Sequence, residues 1–427
     1  MINRRVVDSY AILWLLGIAF LWWPFLLVVS LGDRRPATRR PLAILITTAC
    51  LAVSLLLAAA VNASPSRLVG AFTNLTVWII LCRCLSREAN RAERDGVVRG
   101  ILDLALFQGI LVVGARAVYP SLSGVTLPLA RLLPSSLASD ANVAAFSTVR
   151  LAIPDYYDRV VIRTAGIFGN PTWAGAFAAV GILILLFAPE SLGPWLRRPT
   201  ARAALVVLLG ITLYYSYARI DVLGLLVAAV AVVAVRAKRV IHPSLWVASA
   251  FTGAAALVAA LPLLPLSTWF ADLNSPREGS LVARADIYGP TLRAVSHAAT
   301  PLLGAGTKER VEGLVASLGT HSTYLGLAYR GGLLAAAAFV VLLVALGART
   351  FNRDASLAFG LVCFLALFCI TDDIDAGHLL PLLLLVIHGS TTTATAPPPP
   401  SSPGARAPVP ARALGTSPPE PRLSEPA

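Results

Sequence analysis

The sequence is dominated by apolar blocks of about 20 residues, which match the thickness of the hydrocarbon core of a membrane. Hydrophobic residues make up 57% of the 427 residues and charged residues only 13%, whereas about a quarter of a soluble domain is charged. A helix satisfies its own backbone hydrogen bonds in lipid, so each block is predicted to be helical. The sequence therefore predicts an all-α polytopic membrane protein.

The apolar blocks predict about eleven transmembrane helices. They cover approximately residues 9–31, 41–62, 68–84, 100–118, 166–188, 203–217, 220–236, 244–265, 323–347, 355–370 and 377–389. Residues 1–390 are thus predicted to form one membrane-embedded domain. The remaining 391–427 are rich in Pro and Ser, cannot bury a core, and are predicted to be a disordered cytoplasmic tail.

The basic residues lie mainly in alternate loops, as expected of loops that face the cytoplasm. Arginines crowd the loops after the first, third, fifth, seventh and ninth blocks, whereas loop 371–376 has three aspartates and no basic residue. We therefore expect a multi-pass protein of the cell (plasma or inner) membrane. Arg4 and Arg5 are the exception, because this register places the N-terminus outside. A re-entrant or undetected element near the start would remove that conflict.

This topology leaves two long loops on the extracytoplasmic side, approximately 119–165 and 266–322, the second predicted to be partly helical. Long loops with a character of their own usually carry function. The net charge of +13 does not indicate nucleic acid binding, because the basic residues are spread over the loops between blocks. The five cysteines lack metal-ligand spacing, and they predict neither a metal site nor a disulfide.

Polar side chains recur in four segments that the topology brings to the outer face. The segments are 163–171, which enters the fifth block, the turn 214–221, residues 284–286 with 301–306, and residues 319–325. Arginine presents a planar fork of donors that suits phosphate oxygens, and a histidine can accept a proton from an attacking hydroxyl. A sugar on a polyprenyl diphosphate is an activated donor that needs no nucleotide. Three arginines and a histidine at the outer face of the membrane would suit such a polyprenyl-diphosphate donor.

Simpler interpretations stand beside this one. A single arginine at a helix end usually reaches the headgroups, although Arg219 lies in a turn too short to need a solubilising charge. Asn170 before Pro171 is typical of a helix start. A buried Arg330 inside the ninth block is costly and often functional; it could pair with an acidic residue such as Asp221 or reach the outer interface.

At these residues the chain resembles the O-antigen ligase and polymerase family, membrane glycosyltransferases of the C fold. Residues 163–171 (Arg-Thr-Ala-Gly-Ile-Phe-Gly-Asn-Pro) are similar to the start of that family's central helix. Residues 216–221 are similar to its short Ser-Arg-Gly turn. Arg284, then 301–306 (Pro-Leu-Leu-Gly-Ala-Gly), then 321–325 (His-Ser-Thr-Tyr-Leu) follow its order in the large outer loop. The resemblance covers roughly residues 160–335.

The chain departs from the family pattern at three places. Ser322 replaces the usual Asn after the histidine, Arg219 is followed by Ile where Gly is usual, and Arg330 and two glycines stand where an acidic residue before Gly is common. These departures leave the predicted fold intact and bear on the choice of acceptor.

The resemblance implies an inverting transfer of a glycan from a polyprenyl-diphosphate-linked donor to a glycan, lipid or protein acceptor, without metal, nucleotide or other cofactor. Arg163, Arg219 and Arg284 would bind the diphosphate, and His321, with Arg219, would be catalytic. Supporting roles are predicted for further polar residues of the same segments and for one residue of the ninth block. These are Asn170, Asp221, Asp286, Tyr324 and Arg330.

Other functions stay open on the sequence. A ligase and a polymerase differ in the acceptor, which the sequence does not name. A lipid-linked glycan flippase or transporter would place polar groups near the middle of the membrane, and here the middle of the membrane is almost free of charge apart from Arg330. A non-catalytic scaffold of the cell envelope would tolerate substitution of its outer arginines. Membrane lipids, and no nucleic acid, are the other expected partners.

Overall fold

The computed structural model describes most of the predicted helices. The described residues are 2–32, 35–38, 41–61, 65–87, 91–118, 126–135, 143, 146–147, 153–154, 162–238, 278–297, 301–314, 316–375 and 378–392. The predicted membrane block 244–265 and the Pro-rich tail beyond residue 392 lie outside these residues.

Twelve α-helices run through the described residues. They are α1 (Arg4–Leu16), α2 (Trp22–Leu31), α3 (Leu42–Ala60), α4 (Pro65–Leu85), α5 (Arg91–Val118), α6 (Pro171–Phe187), α7 (Pro199–Ser216), α8 (Arg219–Ala237), α9 (Glu278–His297), α10 (Thr323–Asn352), α11 (Ser356–Thr371) and α12 (Leu382–Thr392). Two strands of two residues each, β1 (Ile153–Pro154) and β2 (Ile162–Arg163), pair antiparallel.

Six of the described helices are long and apolar enough to cross a membrane. They lie within α3, α4, α5, α7, α8 and α10. Shorter apolar helices of 10–17 residues include α6 and α11. The chain is therefore a helical membrane protein, as predicted; the number of eleven spanning helices stays a prediction. Helix α9 lies within residues 266–322, and the arrangement of the two long loops stays a prediction.

The predicted single helix over residues 9–31 is wrong, because α1 ends at Gly17, which has a φ of 86°. Only glycine adopts this left-handed conformation without steric cost, and the chain turns there against Leu127 and Ala130. After a short 3₁₀ turn, α2 runs back, so that Ser30 accepts a hydrogen bond from Arg83 in the last turn of α4. Residues 4–31 thus form a helical hairpin.

This hairpin returns the N-terminus to the end of the bundle where the basic loops lie, which we call the basic end. Arg4 Nε donates to Asp103 Oδ2 on α5 at 2.6 Å, and the backbone of Arg4 lies beside Gly96. The N-terminal arginines therefore follow the same charge rule as the other loops. The prediction that they lie on the opposite side is wrong, and the re-entrant element is the physical reason.

Helix α10 is interrupted at Gly332, whose φ of 80° and ψ of 172° are not helical. The segment 301–306 fills the interruption: Leu333 N–H donates to Pro301 O, and Gly306 N–H donates to Arg330 O at 2.9 Å. A Cβ on Gly304 would lie 2.3 Å from the carbonyl carbon of Arg330. The glycines of segment 301–306 therefore allow close backbone packing, which holds this segment against α10.

Candidate functional site

The segment 163–171 is fixed at the end of the bundle opposite the basic end. Arg163 Nε donates to Ser216 O at 3.0 Å. The side chain of Gln108 on α5 donates to Ala165 O and accepts from Ile167 N–H. Asn170 is the N-cap of α6, where its side-chain oxygen accepts from Thr172 N–H at 2.9 Å. Asn170 thus has the role of a helix start, at the end of the segment that begins with Arg163.

The turn between α7 and α8 places Arg219 and Asp221 on the same end of the bundle. Tyr217 adopts a left-handed conformation with φ 50°, and partly buried Arg219 is the first residue of α8. Asp221, two residues later, is fully buried, and neither carboxyl oxygen has a hydrogen-bond partner among the described residues. A Cβ at Gly175 on α6 would lie 2.4 Å from Asp221 Oδ2. Glycine there makes room for the carboxyl group.

Asp221 connects three segments that are far apart in the sequence. Its carboxyl group interacts electrostatically with Asp372, Arg163 and Arg284. Arg284 lies on α9, in the predicted second outer loop, and Asp372 ends α11. Two of the three predicted arginines therefore share one electrostatic neighbourhood with a buried carboxyl group. Arg219 lies two residues from Asp221 in the chain.

His321 lies just before α10 and is partly buried. It adopts a left-handed backbone conformation with φ 61°, and its carbonyl oxygen accepts a hydrogen bond from the Tyr288 hydroxyl on α9. Burial lowers the pKa of His321; the nearby carboxylates act against this shift, and two cations add to it. These charged groups are Asp372, Asp373, Arg284 and Lys308. The lowered pKa favours the neutral imidazole, which is the form that can accept a proton.

The loop after α11 brings carboxyl groups to His321. Asp372 Oδ1 accepts hydrogen bonds from Trp173 Nε1 at 3.0 Å and from Asp373 N–H at 2.9 Å. Burial raises the pKa of Asp372, and His321 and the Trp173 N–H act against that shift. Lys308 Nζ forms an ion pair with Asp373 Oδ2 at 2.7 Å. From the sequence, these aspartates serve only as a marker of the outer side. The signal for a functional role is that three carboxylates occur in one short outer loop.

Arg330 belongs to a separate, buried network. Its Nη2 donates to Asp375 Oδ2 at 2.7 Å, and Trp78 Nε1 donates to the same oxygen. With the Asn74 amide oriented to suit its neighbours, the amide oxygen accepts from Arg330 Nη1 at 3.0 Å. Asp221 is therefore not the partner suggested by the sequence, because the loop after α11 supplies Asp375. Although burial alone raises the pKa of Asp375, the charges of Arg330 and Lys308 and its hydrogen bonds hold it below its usual range.

The two remaining supporting candidates are Asp286 and Tyr324. Asp286 is exposed on α9, two residues from Arg284. The Tyr324 hydroxyl donates to Ala366 O on α11 at 3.0 Å, and its ring packs on Phe339. Tyr324 thus joins α10 to α11. No group of three or more potential metal ligands occurs within the described parts of the chain.

The fold and the site define a polytopic helical membrane protein with arginines, a histidine and buried carboxyl groups together at one end of its bundle. Residues 204–340 match the family model described as O-antigen ligase. This match confirms the resemblance to the O-antigen ligase and polymerase family. The matched residues include Arg219, Arg284 and His321, whereas Arg163 and Asp372 lie outside them. No curated protein matches the chain.

Proposed function

We propose that the protein transfers a glycan from a polyprenyl-diphosphate carrier to a hydroxyl group of a glycan, lipid or protein acceptor. The reaction takes place at the outer face of the cell membrane, in the assembly of cell-surface polysaccharide, and uses neither metal nor nucleotide. The observation that carries this proposal is the electrostatic cluster of Arg163, Arg284, His321 and Asp372 at the end opposite the basic loops. The O-antigen ligase match supports the family of the reaction.

The arginines bind the diphosphate of the donor. Arg163, Arg219 and Arg284 come from three separate segments, and their guanidinium groups offer permanent charge and several donors to phosphate oxygens. When the bond between the sugar carbon and the diphosphate oxygen breaks, the electron pair stays on that oxygen. Cations already in place stabilise this developing charge without reorganising. The polyprenyl chain remains in the lipid beside the helices.

His321 accepts the proton of the acceptor hydroxyl as the oxygen attacks the sugar carbon. A neutral imidazole is required for this step, and the burial that lowers the pKa of His321 favours that form. The resulting imidazolium is stabilised by the Asp372 carboxylate, which is itself held by Trp173 and by the backbone of Asp373. Attack from the face opposite the leaving diphosphate inverts the sugar carbon.

A transfer assay in proteoliposomes tests this function. A short glycan on polyprenyl diphosphate is supplied with candidate acceptors, in the absence of metal and nucleotide. Release of polyprenyl diphosphate together with glycan transfer, lost in His321→Ala and Arg219→Ala, is the expected result. The matched control is His297→Ala, because His297 is exposed at the end of α9.

Two other outcomes have definite meanings. Lipid-linked glycan that crosses the bilayer without release of diphosphate would contradict the proposal and indicate a flippase. Full activity in both variants would assign the chemistry to other residues. The acceptor that becomes modified separates a polymerase, which extends another repeat unit, from a ligase.

A further inference from the structure

Lys308 is a charged residue of the site end to which the sequence motifs assign no role. It lies two residues after Gly306, whose N–H is bonded to Arg330 O, so its backbone is held against α10. Its ammonium group forms a 2.7 Å ion pair with Asp373, and the two side chains are 18% and 8% exposed. An ion pair so largely removed from water is screened less than a surface pair.

This ion pair is continuous with the groups that orient Asp372. Asp373 accepts from Lys308 through its side chain and donates through its N–H to Asp372 Oδ1 at 2.9 Å. The Thr323 hydroxyl donates to Asp372 O and accepts from Ile374 N–H. The loop that carries Asp372 is therefore tied to the start of α10 by Thr323 and to the segment 301–314 by Lys308.

The charges around His321 come from three segments. Helix α9 contributes Arg284, and the Tyr288 hydroxyl on the same helix binds the His321 carbonyl oxygen. The segment before α10 contributes Lys308, and the loop after α11 contributes Asp372 and Asp373. Two cations and two carboxylates thus act electrostatically on one imidazole, so removing a single charge changes the balance.

We propose that Lys308 is a positioning residue of the transfer site: through Asp373 it fixes the loop that holds Asp372 beside His321, and its charge offsets the carboxylates there. This inference rests on the proposed function, since it assigns Lys308 a part in proton acceptance by His321. Lys308 itself binds Asp373 and does not act on the reacting atoms.

The test compares two variants that break the same ion pair from opposite sides. Lys308→Gln removes a positive charge, so His321 becomes easier to protonate and the acid limb of the pH dependence of kcat/KM moves to higher pH. Asp373→Asn removes a negative charge, and the acid limb moves to lower pH. Both variants lower kcat roughly tenfold to a hundredfold, because a misplaced catalytic group costs about that much. Lys308→Arg restores the position of the limb.

A purely structural role would give a different result. If both variants lower the rate equally at every pH, with no movement of the acid limb, the proposal is wrong. Thermal unfolding of each purified variant shows whether that variant is still folded. If a single variant is unfolded, the double variant Lys308→Met with Asp373→Leu is measured in its place. This double variant should shift the limb less than Lys308→Gln does.

The titration of His321 can also be followed without turnover. The chain has five histidines, so histidine-selective labelling and the His321→Gln variant assign its NMR signal. Opposite shifts of the midpoint in Lys308→Gln and Asp373→Asn support the positioning role even in a protein that transfers no glycan. Unchanged midpoints in an active protein contradict the role of Lys308 and leave the proposed function intact.

Discussion

Two charged clusters lie at the same end of the bundle, and they differ in how fully they are satisfied. In the paired cluster, Arg330 is 2% exposed and has acceptors on Asp375, Asn74 and Gly326. In the open cluster (Arg163, Asp221, Arg284, His321 and Asp372), the carboxyl oxygens of Asp221 have no hydrogen-bond partner among the described residues. The first arrangement is satisfied within the fold, whereas the second is the cluster to which we assign the proposed donor site. Burial of an arginine alone therefore does not identify its role.

The largest effect is expected from the paired cluster. Arg330→Met leaves Asp375 buried without its cation, and removing one partner of a buried pair typically costs about 3–5 kcal/mol. We expect a large drop in the unfolding temperature in detergent, measured by differential scanning fluorimetry. The double variant Arg330→Met with Asp375→Leu should recover much of this loss. A single variant as stable as the native protein would contradict the structural role.

The next effect separates the open cluster from the paired one. Arg284→Gln should lower the transfer rate about 100- to 1,000-fold, as expected when one group that stabilises a developing anion is removed. Its unfolding temperature should stay near the native value, because Arg284 is only partly buried. Arg293→Gln, on the same helix and exposed, is the matched control. Equal losses in both variants would mean that α9 contributes a general basic surface.

A smaller effect is expected where the open cluster is anchored. Trp173→Phe keeps the ring near His378 but removes the N–H that donates to Asp372 Oδ1. One hydrogen bond to a charged group contributes about 1.5–3 kcal/mol, so the transfer rate should fall roughly 10- to 150-fold. Steady-state kinetics should place the loss in kcat, with KM for the donor unchanged. A change confined to KM would mean that Trp173 contacts the donor.

The smallest effect is expected at Asp286, which the sequence motif suggested as a supporting residue. Its side chain is exposed, and substitutions at such surface positions usually change stability by less than about 0.5 kcal/mol. Asp286→Asn should therefore leave both transfer rate and unfolding temperature near their native values. A strong loss of transfer activity would instead mean that Asp286 belongs to the open cluster.

The sequence predicted helices whose signal is local and missed arrangements that depend on distant partners. Long apolar blocks gave α3, α4, α7 and α8 nearly at their observed bounds. The hairpin of α1 and α2 was missed because the whole stretch is apolar, and Gly17 is the one residue that marks the turn. Its positive φ becomes visible only in the fold.

The residues of the site also divide into those with a local signal in the sequence and those that depend on distant partners. The charged residues Arg163, Arg219, Arg284 and His321 stand out in a sequence with few charges, so they could be selected by type and predicted side. Asp375, 45 residues from Arg330, could not be selected as its partner, because no local pattern joins them. The role of the loop after α11 depends on how α10 and α11 pack.

The interruption at Gly332 also bears on how the chain enters the membrane. The helical stretch 333–352 beyond it rises about 30 Å at 1.5 Å per residue, which is enough to cross a hydrocarbon core unaided. Arg330 then precedes the inserted stretch and does not occupy its centre, where an arginine adds about 2.5–3.5 kcal/mol to the free energy of insertion by the translocon. The broken helix thus allows biosynthesis to place this segment before the partner of its arginine has been made.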